Sequence, residues 1–331
     1  MSKAWTRWWF DPVPVTNLAV CRILFFGAMF LYYAGRDFTV WSDVSNVFWH
    51  PIFLFYRLHL TPLSAEHLRI LQFVWRTALV LSCIGLFTRV ATAVSFLLGI
   101  YILGLPHNFG TEYHYDTIIV LIFATMALSR CGDGWSVDRL LQTARSSVPS
   151  TVPPHGEYRW PVQVVQLVMA FVFFAAGVAK FRHSGLNWAL SSNMSTMLIE
   201  HQYHIANADP LTSWGLVIAH YTWVASLLAA GTMFAETLYP LALFSRRARM
   251  VLVPAVFLMQ VGIRTLMGPT FDQYLICNLF WVPWDQVPVR MRRMLPGGSR
   301  YAVGYEFAAE GAAASGQQNV GPTASHAEHH V

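Results

Sequence analysis

Lysine is scarce in this chain, and Lys180 carries the most chemical promise. It closes the apolar run FVFFAAGVAK, and Lys3 is the only other lysine among 22 basic residues. Where a basic residue merely flanks an apolar stretch, the chain nearly always uses Arg. Arginine keeps its proton, whereas an amine in dry surroundings can lose one and act as a base. The position also suits a lysine that only snorkels from a helix end to the headgroups. His114, His220, Gln260 and Arg264 fall at a similar depth along their own apolar stretches. Adjacent loops add His107, Asn108, Glu112, Asp116 and Asp272, beside Tyr101, Tyr113 and Tyr115. Such a convergence describes either a small-molecule pocket entered from the outer leaflet or a solvated vestibule without chemistry.

Other residues suggest scaffolding. Arg22 and Glu236 lie at matching depths in their stretches and are expected to form a structural ion pair, because a lone charge in hydrocarbon is costly. Arg76, in mid-stretch, needs an internal partner. His201 and His204 in EHQYH have helical spacing but lack the carboxylate and histidine partners of a metal site. Neither metal nor haem is expected, since only His220 lies well inside a stretch. Cys21, Cys83, Cys131 and Cys277 are scattered without a CxxC pair, so they indicate neither disulfides nor zinc.

These groups must be positioned by membrane helices. Hydrophobic residues make up 55% of the 331 and charged residues only 12%, too few to cover a water-soluble surface. An aromatic content of 15% excludes disorder outside the tail. The net charge of +5 is no nucleic-acid signature, because the basic residues lie where a membrane protein uses them for orientation. Apolar stretches occur at residues 17–35, 67–87, 89–106, 115–130, 161–181, 214–244, 248–267 and 270–284. They predict an all-α, polytopic membrane bundle of about eight transmembrane helices. The sixth stretch is overlong and carries Pro240, which predicts tilt or a kink.

The expected organisation is a cytoplasmic segment over 1–16, a transmembrane domain over 17–287 and a basic, then disordered, cytoplasmic tail over 288–331. A Pro/Ser linker at 143–158 divides four stretches from four, and the aromatic segment 37–66 is expected at the outer interface. Even-numbered loops and the termini hold most of the basic residues; the other side holds Arg36, Arg57, Arg182 and Arg264. Both termini are therefore expected to be cytoplasmic, in the cell membrane.

Four segments carry a family resemblance: WWFDPVPVTNLAVCRILFF near the start, GWSVD at 134–138, AAGVAKFRHSGLNW at 175–188 and ETLYPLALFSRR at 236–247. In this order they resemble the vitamin K-dependent gamma-carboxylase-like, or horizontally transferred transmembrane (HTTM), domain over about residues 8–287. The resemblance implies reduced vitamin K or menaquinol as cofactor, with Lys180 deprotonating the hydroquinone and His114 supporting it. Tyr113, Trp188, His220, Gln260 and Arg264 are expected as substrate-binding neighbours. Trp135, Ser136 and Asp138 match a motif expected to be structural, Ser136 capping a short interfacial helix and Asp138 favouring its positive end.

Two departures bear on activity. Gln260 stands where the animal enzyme has a histidine, and it cannot be a base at neutral pH. The chain also ends soon after the eighth stretch, without the luminal domain that holds the animal enzyme's protein substrate. Peptidyl-glutamate carboxylation is therefore not expected; oxygenation, epoxidation or other redox handling of a membrane quinol is. The expected partners are the bilayer and a membrane quinone, with a separate protein substrate left open and nucleic acid not expected. The competing reading is a non-enzymatic quinone- or lipid-binding subunit, or a small-solute permease, which should show helices broken near the midplane.

The orientation predicts that a cysteine at position 150 is shielded from an impermeant thiol reagent added outside, while one at 207 is labelled. The reverse labelling pattern would refute it.

Overall fold

The computed structural model describes residues 3–110, 114–145, 152–204, 213–268 and 271–287, and no strand occurs among them. The helices belong to a unit spanning Met1–Val282; in the second unit, Pro283–Val331, the described residues form a turn in which the Gln286 N–H donates to the Pro283 carbonyl at 3.0 Å. The chain opens with α1 (Lys3–Phe10), where Trp5 stacks on Trp8 and Trp9 meets both rings edge to face. It continues into α2 (Thr16–Ala34), which is free of proline and, after Thr16 and Asn17 in its first turn, carries Arg22 as its one charged residue. Short 3-10 turns and α3 (Phe53–Arg57) occupy the aromatic segment that follows.

Next come α4 (Ala65–Ile84), α5 (Thr88–Gly104), α6 (His114–Leu128) and the short α7 (Val137–Arg145). Helices α2, α4, α5 and α6 pack together around Phe25, Phe26, Trp75 and Phe123, whose rings meet edge to face or stacked. The second group comprises α8 (Trp160–Ser184), α9 (Asn187–Leu190), α10 (Asn193–His204), α11 (Ser213–His220), α12 (Thr222–Leu238), α13 (Leu241–Phe244) and α14 (Arg246–Met267). Finally α15 (Asp272–Cys277) packs against α2, α6, α8 and α14 and so joins the two groups.

Five helices are long and apolar enough to cross a membrane, or six if α11 and α12 count as one bent span. The expected count of eight is not reproduced among the described residues. The stretch at 115–130 gives a shorter apolar helix, and that at 270–284 gives only α15 and a 3-10 turn over Asn278–Trp281. The sixth stretch breaks far from its proline. Its two helices meet at 107° around Tyr221, whose φ of −98° and ψ of 80° leave the helical region. Pro240 merely separates α12 from α13.

The expected Arg22–Glu236 pair does not form. Arg22 is fully buried and donates through Nη1 to the carbonyls of Cys131 (2.7 Å) and Gly134 (3.3 Å), and through Nη2 to that of Trp135 (2.7 Å). A planar guanidinium suits this task, because its fork can satisfy several carbonyls that hydrocarbon would leave unbonded. Trp135 adopts a left-handed φ of 50° and keeps its ring exposed. Arg76, expected to need an internal partner, instead donates through Nη2 to the backbone carbonyl of Arg36 at the exposed end of α2.

The loop that Arg22 holds delivers the GWSVD motif to the turn between α4 and α5. Gly85 has φ 72° there, and a Cβ on it would lie 2.4 Å from that of Ser136. Ser136 caps α7 by accepting the Arg139 N–H at 3.0 Å. Asp138 lies in the first turn of α7, yet its carboxylate caps a different helix. It accepts the N–H groups of Phe87 (2.8 Å) and Thr88 (2.7 Å) and the Thr88 hydroxyl (2.7 Å) at the start of α5. Burial opposes its ionisation, but these hydrogen bonds outweigh it and hold the carboxyl below the usual range.

Asp138→Ala should therefore lower stability at pH 7 by about 1–2 kcal/mol through loss of this cap. Because the folded carboxyl titrates low, the contribution is present at neutral pH and fades as pH falls below about 4. Thermal unfolding in detergent at both pH values measures it; equal melting of wild type and variant at pH 7 would contradict the assignment.

Candidate functional site

Lys180 stands about one turn before the end of α8, and Glu236 lies in the last turn of α12. Gly177 brings them together. A Cβ there would meet Thr237 Oγ1 at 2.4 Å and the Thr237 nitrogen at 2.7 Å, so only glycine lets the backbone of α12 approach this closely. Gly177 and Lys180 are three residues apart and share a helix face. The contact that seats Thr237 thus presents Glu236 to the lysine, and Lys180 Nζ forms a hydrogen-bonded ion pair with Glu236 Oε2. Side chains in this pair are unequally covered: 21% of Lys180 and 6% of Glu236 are exposed. The amine is the more accessible partner.

Beyond Lys180 the chain reverses at Gly185, where φ is 58°. Helix α9 then folds Trp188 over the amine, with Nζ 5.2 Å from the ring centroid, in cation–π range. Next to this arrangement lies a cavity of about 320 Å³. Phe173, Met197, Met259, Met267 and Tyr274 contribute apolar wall, while Lys180, Trp188, His201, Glu236 and Gln260 contribute the polar groups. Buried Gln260 receives the Asn278 amide on its Oε1 at 3.5 Å. His201, half-buried on α10, points Nδ1 at the Met197 carbonyl 2.9 Å away.

The cavity brings together Lys180, Trp188 and Gln260 from the expected set, and adds Glu236 and His201. Other expected members lie elsewhere. His220 is exposed at the break after α11, its ring 5.5 Å from that of Tyr221. Arg264 is also exposed and pairs with Asp272. Arg22, Trp135 and Asp138 gather at the α4–α5 turn. His114 opens α6, but its side chain and the whole of Tyr113 lie outside the described residues, as does the side chain of His204. Asp116, expected near an outer vestibule, is instead buried, accepting the Tyr33 hydroxyl at 3.1 Å with His107 at 3.7 Å.

Glu236 was legible as a buried charge but was assigned the wrong partner. The contact that selects its partner, the close approach of α12 to α8 at Gly177, has no counterpart in position along a stretch. His201 left a weaker signal: its helical spacing with His204 suggested a poor metal pair, whereas its ring contributes to the cavity alongside Lys180. The break at Tyr221 is the kind of feature a permease needs. Fifteen residues of α12, about 22 Å of helix, separate it from Glu236, so the break and the charged pair are distinct places.

A pocket of about 320 Å³ lies at the lower end of the range for small-molecule sites, roughly 300–1,000 Å³. Aromatic and thioether walls favour a planar apolar ring, and the amine and carboxylate offer proton transfer at one edge. The model of the HTTM domain family matches residues 10–268. Comparison with curated proteins and with solved structures finds no match.

Removing one partner of a buried pair strands the other, so Glu236→Ala should cost about 3 kcal/mol. A double-mutant cycle with Lys180→Met should show strong coupling, while a cycle of Glu236→Ala with Arg22→Ala should be additive. Coupling of Glu236 to Arg22 in melting experiments, and none to Lys180, would reinstate the pairing expected from sequence.

Proposed function

This chain belongs to the HTTM domain family, and from that premise we propose that it handles a reduced membrane quinol, with Lys180 as the base that takes a phenolic proton. It is an integral membrane protein related to the gamma-carboxylase family. The observation that carries the proposal is the Lys180–Glu236 pair on the wall of an apolar, aromatic cavity.

Glu236 changes how the lysine works. An isolated neutral amine is not required, because Lys180 can pass its proton to the carboxylate beside it. In dry surroundings a charge-separated pair loses much of its advantage over the neutral pair produced by that transfer. The amine so freed accepts the phenolic proton, and the pair carries one proton more than before. Trp188 faces the resulting ammonium and stabilises it through its ring. Phe173 and Tyr274 supply flat apolar surface for the quinol head. Removal of the phenolic proton makes a hydroquinone far more reactive toward dioxygen, so oxygenation, epoxidation or another oxidation is the proposed outcome. Reduced vitamin K and menaquinol are the proposed substrates, and the cell membrane with both termini cytoplasmic is the proposed location.

Lys180→Arg provides the test. Arginine retains the charge, the pairing with Glu236 and the stacking on Trp188, but it cannot give up its proton. The variant should fold and bind menaquinol yet lose at least a hundredfold in its oxidation, in line with loss of a general base. A folded Lys180→Arg protein that consumes menaquinol at the wild-type rate would refute the assignment; a wild-type protein that binds quinol without consuming it would favour a binding subunit.

A further inference from the structure

We propose that His201 makes the cavity selective for the reduced form of its ligand, so that a hydroquinone is held and the corresponding quinone is released. The inference rests on the quinol reading above and assigns the redox state that the site recognises.

The argument begins with the tautomer. His201 Nδ1 lies 2.9 Å from the Met197 carbonyl oxygen, four residues earlier on α10. A carbonyl can only accept, so Nδ1 must carry the hydrogen and donate it. In the neutral ring this leaves Nε2 as a lone pair with no hydrogen of its own. The bond to the helix backbone also fixes the plane of the ring, since rotation would break it. His201 contributes to the same cavity as Lys180 and Glu236, and it comes from a different helix than either. Nearby wall from Met194, Met197, Ile263 and Met267 offers no strong hydrogen-bond donor.

The two redox forms of a quinone differ in what they present to such a group. A hydroquinone carries two O–H donors; the quinone carries only carbonyl acceptors. An Nε2 lone pair can accept from the first, whereas it faces the second acceptor to acceptor, leaving both desolvated atoms unpaired. Before any proton moves, Lys180 is an ammonium that can donate to an oxygen of either form, and the Glu236 carboxylate is engaged by that ammonium, so the pair at rest separates the two forms little. His201 thus adds, outside the Lys180–Glu236 pair, an acceptor that only the reduced form can satisfy. Sites that pair a ligand hydroxyl reject an analogue unable to donate far more strongly than apolar walls reject a change of shape. Any oxidation of the ligand would in itself weaken the product's hold.

The experiment uses the full chain in phosphatidylcholine nanodiscs under anaerobic conditions, with a short-tailed menaquinone as probe in its reduced and oxidised forms. Quenching of tryptophan fluorescence reports binding. The expected result is at least a tenfold preference of the wild type for the reduced probe. That preference should be lost in His201→Phe through weaker quinol binding and partly regained in His201→Gln, whose amide oxygen can accept. Equal affinity of the wild type for both forms would overturn the proposal while leaving the quinol reading intact. So would a preference that survives in His201→Phe or, should that variant not fold, one absent from His201→Gln. Failure of the reduced form to bind the wild type would overturn both readings together.

Discussion

Hydrocarbon offers a charged side chain nothing to bond to, and this protein is organised by where its buried charges find partners. Two solutions are on view. Arg22 meets backbone carbonyls and thereby fixes a loop; Lys180 meets a carboxylate and thereby furnishes a site. The guanidinium, with five donors and no tendency to lose a proton, is suited to holding structure. The ammonium, a point donor that can become a base, is suited to chemistry. The near-exclusive use of arginine elsewhere makes that division visible in composition before any contact is known.

The Arg22 arrangement shows how one buried residue organises a chain of contacts. Its bonds to the 131–135 loop hold Trp135 in a left-handed conformation and place Ser136 against Gly85. Asp138 is thereby delivered to the start of α5, where its carboxylate satisfies N–H groups that no helical carbonyl can reach. Each end of the linkage meets an unfilled hydrogen-bonding need: loop carbonyls around the buried Arg22 on one side and helix-terminal amides on the other. The α4–α5 hairpin owes its tightness to this bracing as much as to its own sequence.

The lysine site depends on a different device, the absence of a side chain. Gly177 admits α12 to within contact of α8, and dispersion between closely packed backbones is a principal attraction available between helices in lipid. Glu236 is presented as a consequence of that approach. Short helices then complete the enclosure: α9 lays Trp188 over the amine, α10 brings His201, and α14 brings Gln260. The break at Tyr221 lets α11 and α12 run in different directions, so α11 can pack against α10 and α14 while α12 stays on α8.

By itself the sequence determined the class of protein and most of its elements, because apolar length and charge scarcity follow directly from the solvent in which the chain must live. Helices α2, α4, α5, α8 and α14 lie close to where the apolar stretches placed them, and Lys180 stood out by residue type alone. What only the tertiary structure decided was pairing. An apolar stretch reads as one span only if its helix is straight and complete, and the sixth stretch bends at Tyr221 rather than at its proline while the eighth gives one short α-helix and a 3-10 turn. Matching position along two stretches pairs Glu236 with Arg22, but position along a stretch does not say which helices are neighbours. The true partner of Glu236 follows from the missing Cβ of Gly177, a close approach between residues sixty positions apart. His201 was obscured for a related reason: whether a histidine faces lipid, backbone or cavity depends on which helices surround it, and no spacing within its own segment encodes that.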